Sequence, residues 1–417
     1  MKKRIIVILA LLFVCSFFDM ARSEAGQTEI IDRDGFYIVD GTLVRYTGEL
    51  APGKEIVLPQ EVKMIGKEAF SVSNYLNYSE DMPKEWETYY MKLVIPKGVK
   101  LDDNAFRFCI SLDIYFGEGI ITLDSSAKTD SRCRCKVHFP KTLREVKDFA
   151  FSGCIETRIY FNDGLKTIGG SSFEFVTVDN VLPKSLKVIG DKAFMGARFV
   201  DRKTVFADDD SLLKVPMLPK GLKRIGAQGL NARKNSKSAK KQFVKIPASV
   251  KDIGPEAFGE NGTPAYLYKV DKNNKYYWSD KNGWLYSKDK KTLYYAAVDY
   301  EHNVIPDYVR NIEFLSLYTA LDSDYKEREI LKIYFPKKLE KVTRYPGCLY
   351  HCAFIFRGDK APALMKYKGD NAVDYKRDKW LYDKENYFVV KKGLKSKLIK
   401  NLKLGNYPES RIKERQA

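Results

Sequence analysis

The sequence predicts a β-rich solenoid, with short parallel strands stacked in a right-handed coil and little helix. Three observations lead there. The skeleton Leu-Pro-x-x-Leu-x-x-Ile-Gly-x-x-Ala-Phe, complete at Leu182–Phe194, recurs over most of the 417 residues. Copies set by Pro140, Asn162 and Pro183 lie 22 and 21 residues apart, a period that marks a solenoid. Energetics point the same way. One copy buries about five large apolar side chains, worth roughly 10 kcal/mol, while ordering about 22 residues costs on the order of 30 kcal/mol. A copy is therefore stable only when neighbours cover both of its faces.

Residues 1–23 read as an export signal. Met1-Lys2-Lys3-Arg4 is a basic start, Ile5–Phe18 is an apolar run too short for a comfortable membrane span, and Ala21-Arg22-Ser23 offers small residues for cleavage. Cys15 is a weak candidate for lipidation, because Phe13 and Val14 precede it where small residues are expected. No later stretch is apolar enough to span a bilayer. The expected location is therefore outside the cytoplasm: cell surface, secreted or periplasmic. The formal charge of +18 falls to +15 without this leader, and acidic partners enter consideration. Hydrophobic content of 44% rules out a mainly disordered chain.

Residues 24–50 are expected to form a cap. Phe36–Val39 and Leu43–Tyr46 are β-prone runs around Asp40-Gly41, a dipeptide suited to a tight hairpin turn. Repeats follow over 51–260 and again over 304–362. Proline-bearing copies start at Leu58, Ile95, Phe139, Leu182, Leu218, Ile246, Ile305 and Phe335, and copies without proline at Phe116 and Phe161. In each, an apolar-x-apolar triplet such as Ile159-Tyr160-Phe161 reads as a strand whose outer residues point inward and whose middle residue points out.

These residues carry a resemblance. The pattern Ile-Pro-x-x-Val-x-x-Ile-Gly-x-x-Ala-Phe-x-x-Cys resembles the BspA-type leucine-rich-repeat family of bacterial surface proteins, and Ala105–Cys109 and Ala150–Cys154 match even its cysteine. The resemblance covers about Ile56–Phe356. It implies a curved leucine-rich-repeat solenoid, export, partner binding of the adhesin kind, and no catalytic site. Residues 261–303 break the period. Val270-Asp271…Asn274…Tyr277 and Gly283-Trp284-Leu285-Tyr286 resemble an irregular unit of the same family, expected as a β-hairpin excursion. Residues 363–417 are expected as a basic C-terminal cap or tail, with Leu394, Leu398 and Leu402 spaced for a short amphipathic helix.

Chemistry-bearing motifs are scarce. His138, His302 and His351 fall in no recognisable catalytic motif, and no Gly-rich phosphate loop or nucleophile elbow is visible. Cys348-x-x-His351-Cys352 and Cys133-x-Cys135 lack the spacing of common zinc sites. The expectation is a non-enzyme without cofactor or metal. Cys109 and Cys154 occupy positions that want a small buried residue, so buried thiols compete with disulfides among Cys109, Cys133, Cys135 and Cys154.

Binding columns are the remaining signal. Down the array the outward strand position reads Val57, Val94, Tyr115, His138, Tyr160, Val181, Met217, Lys245, Val304 and Tyr334. Tyr115, His138, Tyr160 and Tyr334 are the candidate contacts for an extracellular protein or glycan on the concave sheet. The residue after the repeat's central Leu or Val is basic at Lys100, Arg144, Lys166, Lys187, Lys223, Lys251 and Arg310. That ladder either keeps the edge solvated or binds a polyanion such as an acidic polysaccharide; no sequence-specific nucleic-acid reader is visible. Arg233–Lys241 is a second basic run, expected as a loop. A structural envelope protein without a dedicated ligand is the third reading.

Overall fold

Each copy of the skeleton closes into one coil with two strand segments, joined where proline removes a ladder donor and ends the first. The computed structural model describes residues 28–49, 51, 53–71, 90–109, 111–129, 135–205, 209–233, 242–254, 257–260, 263–264, 267–313, 317–319, 329–342, 347–348, 351–364, 386–402 and 408–416. The expected leader, Cys15, Cys133 and residues 234–241 lie outside them.

The first segments stack into a seven-stranded parallel sheet: Glu55–Ile56, Met91–Ile95, Leu112–Phe116, Cys135–His138, Thr157–Tyr160, Thr177–Asp179 and Arg198–Val200. Alternation holds within them. Leu112, Ile114 and Phe116 are buried while Asp113 and Tyr115 face outward. The second segments, each ending on the apolar residue before Gly or its substitute, form a six-stranded parallel sheet running from Thr122–Leu123 to Asp252–Ile253. Between the sheets the Ala-Phe plugs stack. Phe151, Phe173 and Phe194 follow one another at ring separations of 5.9 and 5.5 Å.

The glycine of Ile-Gly is there for close approach. At Gly190 an added Cβ would sit 2.6 Å from Gly169 C and from Gly170 N, both main-chain atoms of the preceding coil. Coils meet backbone to backbone at this corner, and only a residue without a side chain fits.

The array is closed at its start by an antiparallel meander, Ile30–Arg33, Phe36–Val39 and Thr42–Tyr46, whose last strand pairs in parallel with Met64–Ile65. Asp40 and Gly41 both take positive φ, 47° and 75°, as a hairpin turn of this hand requires. A second antiparallel meander, Tyr277–Ser279, Leu285–Ser287 and Thr292–Val298, turns at Gly283 and near Lys290 and rejoins the parallel stack at Asn311–Ile312. Asn274 anchors it: its buried amide donates to the Pro247 and Val250 carbonyls at 2.9 Å and accepts from the amides of Tyr276 and Tyr277.

A four-stranded parallel sheet then runs through Leu331–Phe335, Cys352–Phe356, Tyr387–Lys391 and Ile412–Arg415. Its last two strands lie within the segment expected as a cap or tail. The helix Lys395–Leu402 between them buries Leu398 and Leu402. No helix among the described residues is long and apolar enough to cross a membrane.

Candidate binding site

Parallel, in-register pairing brings residues from successive coils side by side. His138 pairs with Tyr115 on one strand and Tyr160 on the other. Their rings stack nearly flat, at 4.1 Å and 4° for Tyr115–His138 and 4.5 Å and 9° for His138–Tyr160. These separations sit just inside the strand spacing of about 4.8 Å, so the imidazole is sandwiched and its faces are used. Asp113, outward on the same strand as Tyr115, fixes the stack. Its carboxylate lies 2.7 Å from His138 Nε2 and accepts from the Tyr115 hydroxyl at 3.3 Å. A carboxylate only accepts, so Nε2 carries the proton in this arrangement. Partial burial, and then the Asp113 charge, raise the Tyr115 phenol above its ordinary pKa. Burial likewise raises that of Tyr160, against the nearby Arg158 cation.

The ends of the stack are covered by cations. The Arg158 guanidinium lies 4.4 Å from the Tyr160 ring centroid, and Lys92 Nζ lies 5.6 Å from that of Tyr115. Arg158 points to the outer side of the sheet, yet its side chain is 0% exposed. The loop after Val200 folds over it, with the Thr204 carbonyl accepting from Nε at 3.0 Å. Asp179 completes the knot. It accepts from Arg158 Nη2 at 2.6 Å, from Arg202 Nη1 at 2.9 Å and from the Phe161 amide at 3.1 Å.

Neither Arg158 nor Asp179 was singled out from sequence. The outward column was expected to pass from Tyr160 to Val181, but the ladder aligns Ile159 with Val178, which places Asp179 beside Tyr160. Three residues lie between Val178 and Leu182 where one lies between Ile159 and Phe161, so the chain carries a two-residue insertion. Val181 is displaced to a bridge with Met217, where both are more than half exposed. Counting residues between the inward positions exposes this insertion in the sequence. Tyr334 is not brought to the stack: it sits in the four-stranded sheet, bridging Val304 and pairing with Ile355.

A second outward column, two residues before the aromatic one, is charged. Glu55, Lys92, Asp113, Lys136 and Arg158 follow in register, and Lys92 pairs with Glu55 at 3.1 Å. The face thus offers ring edges, hydroxyls and charges of both signs. The planar surfaces on which a sugar ring would stack are occupied.

The basic ladder is resolved into separate runs. Amide-to-carbonyl bonds of 2.8, 2.8, 2.8 and 3.0 Å link Arg144, Lys166, Lys187, Lys223 and Lys251 through consecutive coils. Lys100 stacks instead on Lys63, and Arg310 lies between Lys291 and Glu340. Ile121 occupies the place before Arg144. Arg144 also folds its guanidinium back onto its own turn, donating to the carbonyls of Lys141 and Leu143 at 2.7 and 3.2 Å. Arg310 does the same with Asp307 and Val309.

Cys109, Cys135, Cys154 and Cys352 are buried. The sulfurs of Cys109 and Cys135 lie 3.4 Å apart, and Cys154 donates to the Thr129 carbonyl at 3.2 Å. Burial pushes the Cys154 thiol up to about 11. His302 leans on Asp299 at 2.9 Å. Among the described residues no group of three or more His, Cys, Asp or Glu is placed to hold a metal.

Comparison with known proteins finds six copies of the BspA type leucine rich repeat region over residues 99–209. Among solved structures, the pneumococcal vaccine antigen PcpA is 15% identical, with a TM-score of 0.37 over 94% of this chain and 100% of that one. A leucine-rich repeat protein from Bacteroides ovatus is 14% identical, with a TM-score of 0.40 over 96% and 100%. One from Eubacterium ventriosum is 17% identical, with a TM-score of 0.32 over 60% and 62%. No curated protein matches the chain.

Proposed function

We propose that this chain, whose residues 99–209 are a BspA-type leucine-rich-repeat region, is an exported, non-enzymatic binding protein that engages a protein partner along the Tyr115–His138–Tyr160 column. One observation carries the reading. Three outward aromatic residues from consecutive coils are locked edge-out by mutual stacking and by Asp113. A locked strip loses little entropy on binding, and tyrosine edges beside paired charges suit a protein surface. Glycan recognition by ring stacking fits less well, because the imidazole faces are covered by tyrosines and the tyrosines' outer faces by cations. His138 is sandwiched and tied through Nε2 to Asp113, which favours a fixed contact over a proton shuttle.

The test probes arrays of extracellular proteins and of glycans with the purified protein and with Tyr115→Ala/Tyr160→Ala. The expected result is a set of protein spots bound at least tenfold more weakly by the variant, as for central aromatic anchors. Equal binding by both, or retention confined to glycan spots, overturns the assignment. Export is tested by protease accessibility on intact cells, with protection of the whole chain as the contrary result.

A further inference from the structure

We propose a second site: the edge formed by Lys166, Lys187, Lys223 and Lys251 is a track for a linear acidic polysaccharide. It is independent of the aromatic column. Backbone hydrogen bonds of 2.8, 2.8 and 3.0 Å join these residues through four successive coils. The backbones that carry their ammonium groups are therefore one strand spacing apart, over about 14 Å. All four are exposed.

Besides being stacked in register, these four charges are uncompensated. Among the described residues none of the four pairs with a carboxylate, whereas Arg224, the next residue along from Lys223, lies 3.6 Å from Asp191 and 3.3 Å from Asp252. Asp163, nearest in sequence to the column's start, is engaged elsewhere, accepting from the Lys184 amide at 3.0 Å. Lys184 and Lys220, exposed in the turns leading to Lys187 and Lys223, lay a second row beside the first. Stacking has thus assembled like charges that repel in the free protein, and a polyanion relieves that repulsion while releasing its own counterions.

The chemistry of the partner follows from what the column contains and lacks. Ammonium groups are point charges on flexible stems, suited to sulfate or carboxylate groups spaced along a chain rather than to bidentate phosphate recognition. One sugar unit is about as long as a coil is thick, so charged sugars keep step with the lysines. Single-stranded nucleic acid is held largely by stacking of its bases on aromatic rings. The turns that carry the column, Asp163–Lys166, Lys184–Lys187, Lys220–Lys223 and Ala248–Lys251, contain no aromatic residue.

The test uses the full chain, immobilised heparin and a heparin oligosaccharide in solution. One variant replaces the four column lysines with Gln. A second, of identical net charge, replaces the exposed Lys338, Lys341, Lys397 and Lys400 with Gln. The column variant is expected to bind the oligosaccharide at least tenfold more weakly and to reduce the slope of log affinity against log salt by about 3, at roughly 0.7 per cation lost. The second variant and Tyr115→Ala/Tyr160→Ala are expected to stay within about twofold of the parent. Should the fourfold column change lower the melting temperature, Lys187→Gln/Lys223→Gln is expected to show about half the loss of slope in a fully folded chain. Equal retention of column variant and parent overturns the proposal. So does an equal loss in the second variant, which would make net charge the cause. Competition by oligothymidylate as effective as by the oligosaccharide would assign the edge to nucleic acid instead.

Discussion

Replacing Asp179 with Ala removes the acceptor around which the end of the aromatic stack is built. Arg158 has a side-chain exposure of 0% and Asp179 of 3%. In the variant a guanidinium stays buried with the Thr204 and Ile159 carbonyls as its remaining hydrogen-bond acceptors. Breaking a buried pair from one side costs about 3–5 kcal/mol. The Phe161 amide loses its acceptor too, adding about 1 kcal/mol. Arg202 is 60% exposed and returns to water at little cost. Because a repeat array opens locally, the assay is amide hydrogen exchange across Thr157–Val200. Opening there should become more frequent by about three to four orders of magnitude, at 1.4 kcal/mol per tenfold. Arg158→Met/Asp179→Leu, which leaves no charge buried, should recover all but about 1–2 kcal/mol. Exchange in Asp179→Ala within threefold of the parent would show that the carboxylate does not hold Arg158 in place. A double variant no better than the single would put the cost in shape rather than charge.

Two further outcomes follow from packing. Gly190→Ala forces a Cβ against main-chain atoms of the neighbouring coil, which cannot yield as a side-chain tip would. A loss of about 1–3 kcal/mol is expected, and an unchanged calorimetric melt would refute the close-approach argument. Cys154, raised to about 11 by burial, should resist alkylation at pH 8.5 until the chain unfolds. The unfolded thiol ionises near pH 8.5. Between there and 11 the unfolded state binds fewer protons, so stability falls as pH rises. Cys154→Ala should flatten that limb between pH 8 and 10 in urea melts, and a limb unchanged by the substitution would assign it to other groups.

The copies of the skeleton made the solenoid legible because each position answers to a local demand: alternation for the strand, proline to end it, glycine for backbone contact, Ala-Phe for the plug. Tyr115, His138 and Tyr160 were legible as neighbours for the same reason, since three copies in succession keep their spacing. Arg158 and Asp179 were not. A residue's offset from the proline predicts its neighbour only while no insertion intervenes, and Asp179-Asn180 shifts the frame between Val178 and Leu182.

By itself, then, the sequence determined the architecture and the composition of its two outward columns, because a periodic chain repeats its local geometry. Only the tertiary structure decided which members of those columns meet. Hydrogen bonding between coils settled that Lys166 to Lys251 run unbroken while Lys100 and Arg310 stand in other stacks, and that Tyr334 lies apart. It also turned an arginine on the open face into a buried one, by folding over it a loop that comes about 46 residues later in the chain. Contacts at that separation leave no period to read.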